Sequence, residues 1–198
     1  MGTFNRGVHM STFHSSENIP AVLPTPLQID FVATPCIGSL AMSACPGLTN
    51  RSIANKISLE ADVSTIYSHR ILTVISLMET QELQRAGAKN LSYYLGKKKI
   101  SWHQLQVSEY GAPSIAVIHQ WRRLVKPLIM TLESGGNVLI HCLEGNGRTG
   151  VMTACLLKAL GLSGEAAIAQ VRRARQGVFQ TSLQEDYVLS FRPQKPIG

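Results

Sequence analysis

The chain has 198 residues, 44% hydrophobic and 16% charged, which is apolar material for one domain with a sizeable core and too much for wholesale disorder. Nineteen Lys and Arg against twelve Asp and Glu give a net charge of +7, a balance that suits an anionic partner such as phosphate, nucleic acid or an acidic protein face. The absence of a fixed-period repeat excludes solenoids and propellers, and four cysteines without a C-x-x-C pair exclude a disulfide scaffold and leave no zinc site to build.

Residues 1–26 are rich in Ser, Thr, Asn and Pro and read as a flexible arm ahead of one domain over residues 27–198. The opening residues lack the continuous apolar stretch of a signal peptide. The longest uncharged run, Phe31 to Asn50, carries Pro35, Pro46, Gly38 and Gly47, too many breaks for a membrane helix. A soluble cytoplasmic protein with reduced thiols and no membrane partner is the expectation.

Order begins near Leu27, where Leu27, Ile29 and Phe31 alternate with Gln28, Asp30 and Val32 as in a strand. Ser58 to Ser68 suggests a helix capped by Ser58. Ile71 to Leu77 is short, apolar and β-branched, the composition of a strand buried on both faces. A helix over Asn90–Lys99 and a strand over Ser101–Val107 follow. Ser114 then opens a helix to Glu133 on the spacing of Ile115, Ile118, Trp121, Leu124 and Val125, with Pro127 expected to kink or interrupt it. Asn137 to His141 is a buried strand, and Gly150 to Leu160 a helix. Ser163 caps a further helix through Arg175, closed by Gly177, and Ser182 to Phe191 forms the last. Strands alternating with helices predict an α/β fold with a mostly parallel central sheet flanked by helices.

The chemistry concentrates in His141–Gly150, H-C-L-E-G-N-G-R-T-G, between a buried strand and a helix. A loop in that context turns its N–H groups toward a common centre, helped by the positive end of the helix dipole. Gly145 and Gly147 allow the tight turn, Arg148 offers a planar fork for two phosphate oxygens, and the same positive surroundings favour the Cys142 thiolate. The arrangement is an oxyanion receptor with a nucleophile inside it. A nucleotide-binding loop would need Lys in place of Arg148 and a different spacing.

At these residues the chain resembles the cysteine-dependent protein phosphatases of the dual-specificity group. Over Thr25 to about Phe191, through T-P-L-Q-I-D-F-V-A-T-P, Y-G-A-P-S-I and H-C-L-E-G-N-G-R-T-G, it is similar to their kinase-associated subfamily. The resemblance implies a single-domain cysteine-phosphatase fold, no metal and no cofactor. It also implies hydrolysis of phosphotyrosine and phosphothreonine or phosphoserine through a phosphocysteine intermediate. Carried over residue by residue, Cys142 is the nucleophile, and the segment Leu143, Glu144, Gly145, Asn146, Gly147 and Arg148 binds phosphate. Thr149 donates to the thiolate, and His141 holds the loop without transferring protons. Gln180, supported by Gln184 in G-V-F-Q-T-S-L-Q, positions water, the alternative being two solvated amides. The group's second, protective cysteine falls at Ser76 here, leaving Cys36, Cys45 or Cys155 as substitutes.

One departure bears on activity. The only aspartates are Asp30, Asp62 and Asp186, so the acid that the family places on a loop before the active site cannot be Asp. Glu109, just before Tyr110-Gly111-Ala112-Pro113, is the candidate, against the plainer reading of a solvated carboxylate. Its extra methylene moves the proton donor by roughly 1.5 Å, enough to slow turnover if the loop does not compensate. The competing reading is therefore a catalytically weak pseudophosphatase that binds phosphoproteins or kinases. A phosphorylated protein, and through the resemblance a protein kinase, is the expected partner. Nucleic acid is not, because Lys97-Lys98-Lys99 and Arg122-Arg123 are charge runs without interleaved stacking aromatics.

Overall fold

The computed structural model describes residues 26–48, 55–109 and 113–193, so all of the expected N-terminal arm but Pro26 lies outside the described residues. The elements in chain order are β1 (Asp30–Val32), β2 (Leu40–Ser43), α1 (Asn55–Ser68), β3 (Ile71–Ser76), α2 (Thr80–Arg85), α3 (Leu91–Lys97), β4 (Ser101–Gln104), α4 (Ile115–Glu133), β5 (Asn137–His141), α5 (Gly147–Ala159), α6 (Gly164–Ala174) and α7 (Ser182–Ser190).

The strands form one five-stranded sheet in the order β1-β2-β5-β3-β4. Only β1 is antiparallel to its neighbour; β2, β3, β4 and β5 run parallel. β5 lies at the centre, and Val138, Leu139 and Ile140 are fully buried between β2 and β3. Burial on both faces explains why its sequence is apolar without alternation. Helix α5 packs along β2 and β5 and carries α6 and α7, while α1 and α3 pack together beside β3 and β4. In register, His141 at the carboxyl end of β5 stands between Ser43 of β2 and Ser76 of β3. Ligands in such sheets bind beyond the carboxyl ends of the strands, and that is where β5 delivers Cys142.

Several elements differ from expectation. The first strand contracts to Asp30–Val32, and the helix read from Ser58 begins at Asn55, so Ser58 lies inside it rather than capping it. The sequence carries no signal for β2 or α2, the first being only the four residues Leu-Ala-Met-Ser, the second six residues too short to show a period. Helix α3 ends at Lys97 and β4 at Gln104, each short of its expected bound.

Pro127 does not stop α4, which continues to Glu133. Proline removes one N–H and frees the carbonyl four residues back, here that of Arg123; both residues are on the exposed face, where that carbonyl is open to solvent. Ser114 and Ser163 do cap their helices, accepting from the amides of Val117 and Ala166.

Candidate active site

The decisive difference from the sequence reading is where α5 begins. It starts at Gly147, three residues before the expected Gly150, so Arg148 and Thr149 belong to its first turn. Asn146 occupies the cap position but makes no capping bond with its side chain. Its Oδ1 instead accepts from Nε of Arg175 at 3.1 Å. The first helical bond runs from Gly150 N–H to the Asn146 carbonyl at 2.7 Å, which leaves the preceding amides of the turn without a helical acceptor. Such a start presents free N–H groups and the positive end of the helix dipole beside the thiol.

Two glycines make the turn possible. Gly145 has φ of +77°, and a Cβ there would run into the backbone of Ser43 and Ala44. A Cβ on Gly147 would lie 2.5 Å from Oε1 of Gln180 and 2.6 Å from Nε2 of Gln184. The buried Cys142 Sγ accepts from the Gly145 amide at 3.3 Å, so the loop curls around the sulfur.

Arg148 is almost fully buried, and its bonds dictate its orientation. Nη1 and Nη2 donate to the two carboxylate oxygens of Glu82 at 2.8 and 2.5 Å. Nη1 also reaches the carbonyls of Leu77 and Val107, each at 3.1 Å. The end of the fork is thus committed, while Nε–H and the second Nη2–H, the side edge of the guanidinium, have no acceptor among the described residues. That edge can hold two phosphate oxygens. Burial alone would raise the pKa of Glu82, but the Arg148 hydrogen bonds and charge outweigh it and hold the carboxyl below its ordinary value.

Behind Cys142, His141 is fully buried. Its Nδ1 lies 3.3 Å from the Cys142 carbonyl and its Nε2 lies 2.6 Å from Ser76 Oγ. Burial pushes the imidazole pKa down to about 4, outweighing the carbonyl's opposite pull, so the ring is neutral near pH 7. A carbonyl only accepts, hence Nδ1 carries the proton and Nε2 accepts from the Ser76 hydroxyl. Ser76 Oγ in turn accepts from the Trp102 indole at 2.8 Å. The chain Trp102–Ser76–His141 holds the Cys142 peptide from below.

Arg175 secures the opposite flank. Besides Asn146 it binds the Glu144 carbonyl through Nη2 at 2.9 Å and Asp30 Oδ2 through Nη1 at 2.5 Å. Cys45 donates its amide to the Leu143 carbonyl at 3.0 Å, which makes it the thiol among Cys36, Cys45 and Cys155 whose backbone meets the loop. Burial pushes the Cys45 and Cys155 thiols well above their ordinary range.

Glu109, Cys142, Leu143, Glu144, Asn146, Gly147, Arg148 and Gln180 line one cleft. The structure thus brings Glu109 and Gln180 to the loop from positions distant in sequence. Gln180 follows Phe179, whose φ of +60° is unusual for a side-chain-bearing residue and redirects the backbone toward the cleft. Gln184 is buried, accepts from the Gln180 amide at 2.8 Å, and is itself positioned by Thr181. Thr149 Oγ1 is buried without a partner among the described residues. Glu82, Ser76, Trp102 and Arg175 carry no local motif, and their partners in the site lie 26 to 145 residues away along the chain, beyond the reach of a sequence pattern. Among the described residues no cluster of His, Cys, Asp and Glu could hold a metal ion, and no helix is long and apolar enough to cross a membrane.

This strand, loop and helix lie at the carboxyl edge of the sheet in what comparison with known proteins shows to be a dual-specificity phosphatase-type domain. The model of the PTP-SAK family, described as a Swiss Army Knife protein, DSP-PTPase phosphatase domain, matches residues 52–188. The chain is 29% identical over 192 residues to cyclin-dependent kinase inhibitor 3 of Rattus norvegicus, covering 93% of this chain and 88% of that protein. It is 28% identical to the Homo sapiens protein of the same name over the same shares. A crystal structure of kinase associated phosphatase, with its catalytic-site cysteine replaced by serine, superposes with a TM-score of 0.74 at 26% identity, covering 88% of this chain and 98% of that one. The chain belongs to the PTP-SAK DSP-PTPase family, and its relatives include the kinase-associated phosphatase.

Proposed function

We propose that this protein hydrolyses phosphotyrosine and phosphothreonine or phosphoserine in proteins through a phosphocysteine intermediate. The observation that carries the reading is the open side edge of Arg148 beside Cys142 in an uncapped helix start. In the first step the Cys142 thiolate forms a bond to phosphorus as the bond to the substrate oxygen breaks. Glu109 gives that oxygen its proton. The loop amides and Arg148 hold the three equatorial oxygens as charge spreads over them. In the second step water attacks phosphorus, the sulfur–phosphorus bond breaks, and Glu109 takes the proton back as inorganic phosphate leaves. Gln180 orients that water, and Gln184 orients Gln180. The unpaired Thr149 hydroxyl supports a donor role toward the departing thiolate, because a buried hydroxyl without a partner costs about 1–3 kcal/mol unless it is used. Kinases enter as substrates through the kinase-associated relatives, and the cytoplasm through the reduced cysteines.

A second reading follows from one observation. The acid is a glutamate, exposed and without a hydrogen bond among the described residues, so the site could bind phosphoproteins with little turnover. Hydrolysis of a small aryl phosphate between pH 5 and 8 without metal separates the two. Turnover by the wild type that vanishes in Cys142→Ser supports the enzyme. Wild type as inert as Cys142→Ser, while still binding phosphate analogues, supports the binding module.

A further inference from the structure

The chain carries +7, yet the described charges around the cleft are arranged the other way. All three ion pairs among the described residues neutralise an arginine, Arg148 by Glu82, Arg172 by Glu185 and Arg175 by Asp30, and of these Arg148 lines the cleft and Arg175 holds its loop. Two carboxylates in the cleft lining, Glu109 and Glu144, have no such partner among the described residues. Glu144 stands two residues after the nucleophile. Its carbonyl is held by Arg175, so the residue is fixed in place while its side chain stays exposed. Glu144 thus places a carboxylate at the rim beside the one proposed as acid.

We infer that Glu144 selects the substrate: the phosphorylated residue this cleft accepts is one flanked by basic side chains, and phosphate groups clustered with other anions are rejected. The inference rests on the proposed phosphatase reading and names its substrate class. The physical argument is one of balance. A phosphomonoester brings about two negative charges to a site whose one lining cation, Arg148, is already shared with Glu82. A lysine or arginine beside the phosphoresidue meets the free Glu144 carboxylate, whereas an acidic neighbour meets repulsion. Exposed pairs of this kind are worth up to about 1 kcal/mol, or roughly threefold to fivefold in affinity per flanking charge, and weaken with salt. The effect therefore falls mainly on KM and on ionic-strength dependence.

The test compares three peptides sharing one phosphotyrosine, flanked by lysines, alanines or glutamates, at 20 to 300 mM salt. The wild type should turn over the lysine-flanked peptide about tenfold faster in kcat/KM than the glutamate-flanked one at low salt, with the ratio shrinking toward unity at high salt. Glu144→Gln should cut the ratio about threefold and Glu144→Lys should invert it. Glu133→Gln removes an exposed carboxylate at the far end of the sheet and should leave the ratio as it is, which separates the rim from net charge. A wild-type ratio at or below one, a ratio unmoved by Glu144→Lys, or an inositol polyphosphate that outcompetes the lysine-flanked peptide would each overturn the inference. Calorimetric binding of the same peptides to Cys142→Ser keeps the two readings apart. Binding in the lysine-first order without wild-type turnover removes the enzyme and keeps the selection; turnover without any order does the reverse.

Discussion

The two segments that meet over Cys142 differ in how they are held. Between His141 and Gly150 the chain is gripped from every side, by Ser76 beneath, Glu82 behind Arg148, and Arg175 across Asn146 and Glu144. The segment carrying Glu109 is anchored two residues earlier, where the Val107 carbonyl accepts from Arg148, and beyond that point Glu109 has no hydrogen-bond partner among the described residues. On the proposed reading, the receptor for phosphate is built before the ligand arrives, as electrostatic preorganisation requires, while the proposed acid has no fixed partner of its own. One guanidinium serves both, since Arg148 borders the loop and its bond to the Val107 carbonyl ties down the root of the Glu109 segment.

Substitutions can break this contrast at either end. The largest effect short of removing the nucleophile should come from Arg148→Lys, which keeps the charge but loses the planar fork and three of its fixed bonds. A fall in kcat of about 10²–10³-fold on an aryl phosphate is expected. Next, Glu109→Gln should lower kcat by about 10²-fold with a poor leaving group and much less with a good one. An equal loss on both would remove Glu109 from the role of acid. Glu82→Gln should be milder, about tenfold in kcat/KM, because the loop persists while Arg148 loses its orientation. It should also lower unfolding free energy by about 1–2 kcal/mol in urea, the pair being only partly buried.

A further effect is expected on stability rather than turnover, and it depends on pH. His141 takes up its proton near pH 4 when folded but near its ordinary value of about 6.5 when unfolded. Between those values the unfolded chain binds the additional proton, so stability falls as pH falls from about 6.5 to 4, by up to about 3 kcal/mol. Melting temperatures across that window should show the slope, and His141→Asn should flatten it.

The parts of the molecule that the sequence reveals are those whose physics is local. The bounds of β5 match expectation because the centre of a strand buried on both faces, Val138 to Ile140, has only apolar residues to show. Ser114 and Ser163 cap their helices because capping acts over three residues. Gly147 misleads for a related reason: glycine weakens a helix interior, yet at a first turn whose amides are meant to stay free it costs little. Glu82 looks like any carboxylate of a short helix, since what distinguishes it is a guanidinium 66 positions further on. Glu109 is found only through its place before Tyr110-Gly111-Ala112-Pro113, and the structure adds that the same cleft contains it.

The bond from the Trp102 indole to Ser76 has a practical consequence. An indole's emission shifts with its hydrogen bonding, and this one is two bonds removed from the imidazole that carries the Cys142 peptide. The chain has only one other tryptophan, the buried Trp121 of α4, whose indole N–H has no partner among the described residues. A Trp121→Phe protein would therefore hold a single built-in optical probe seated under the phosphate loop. Titrating it with vanadate or phosphate reads out occupancy of the site without a label, and without any need for the enzyme to turn over.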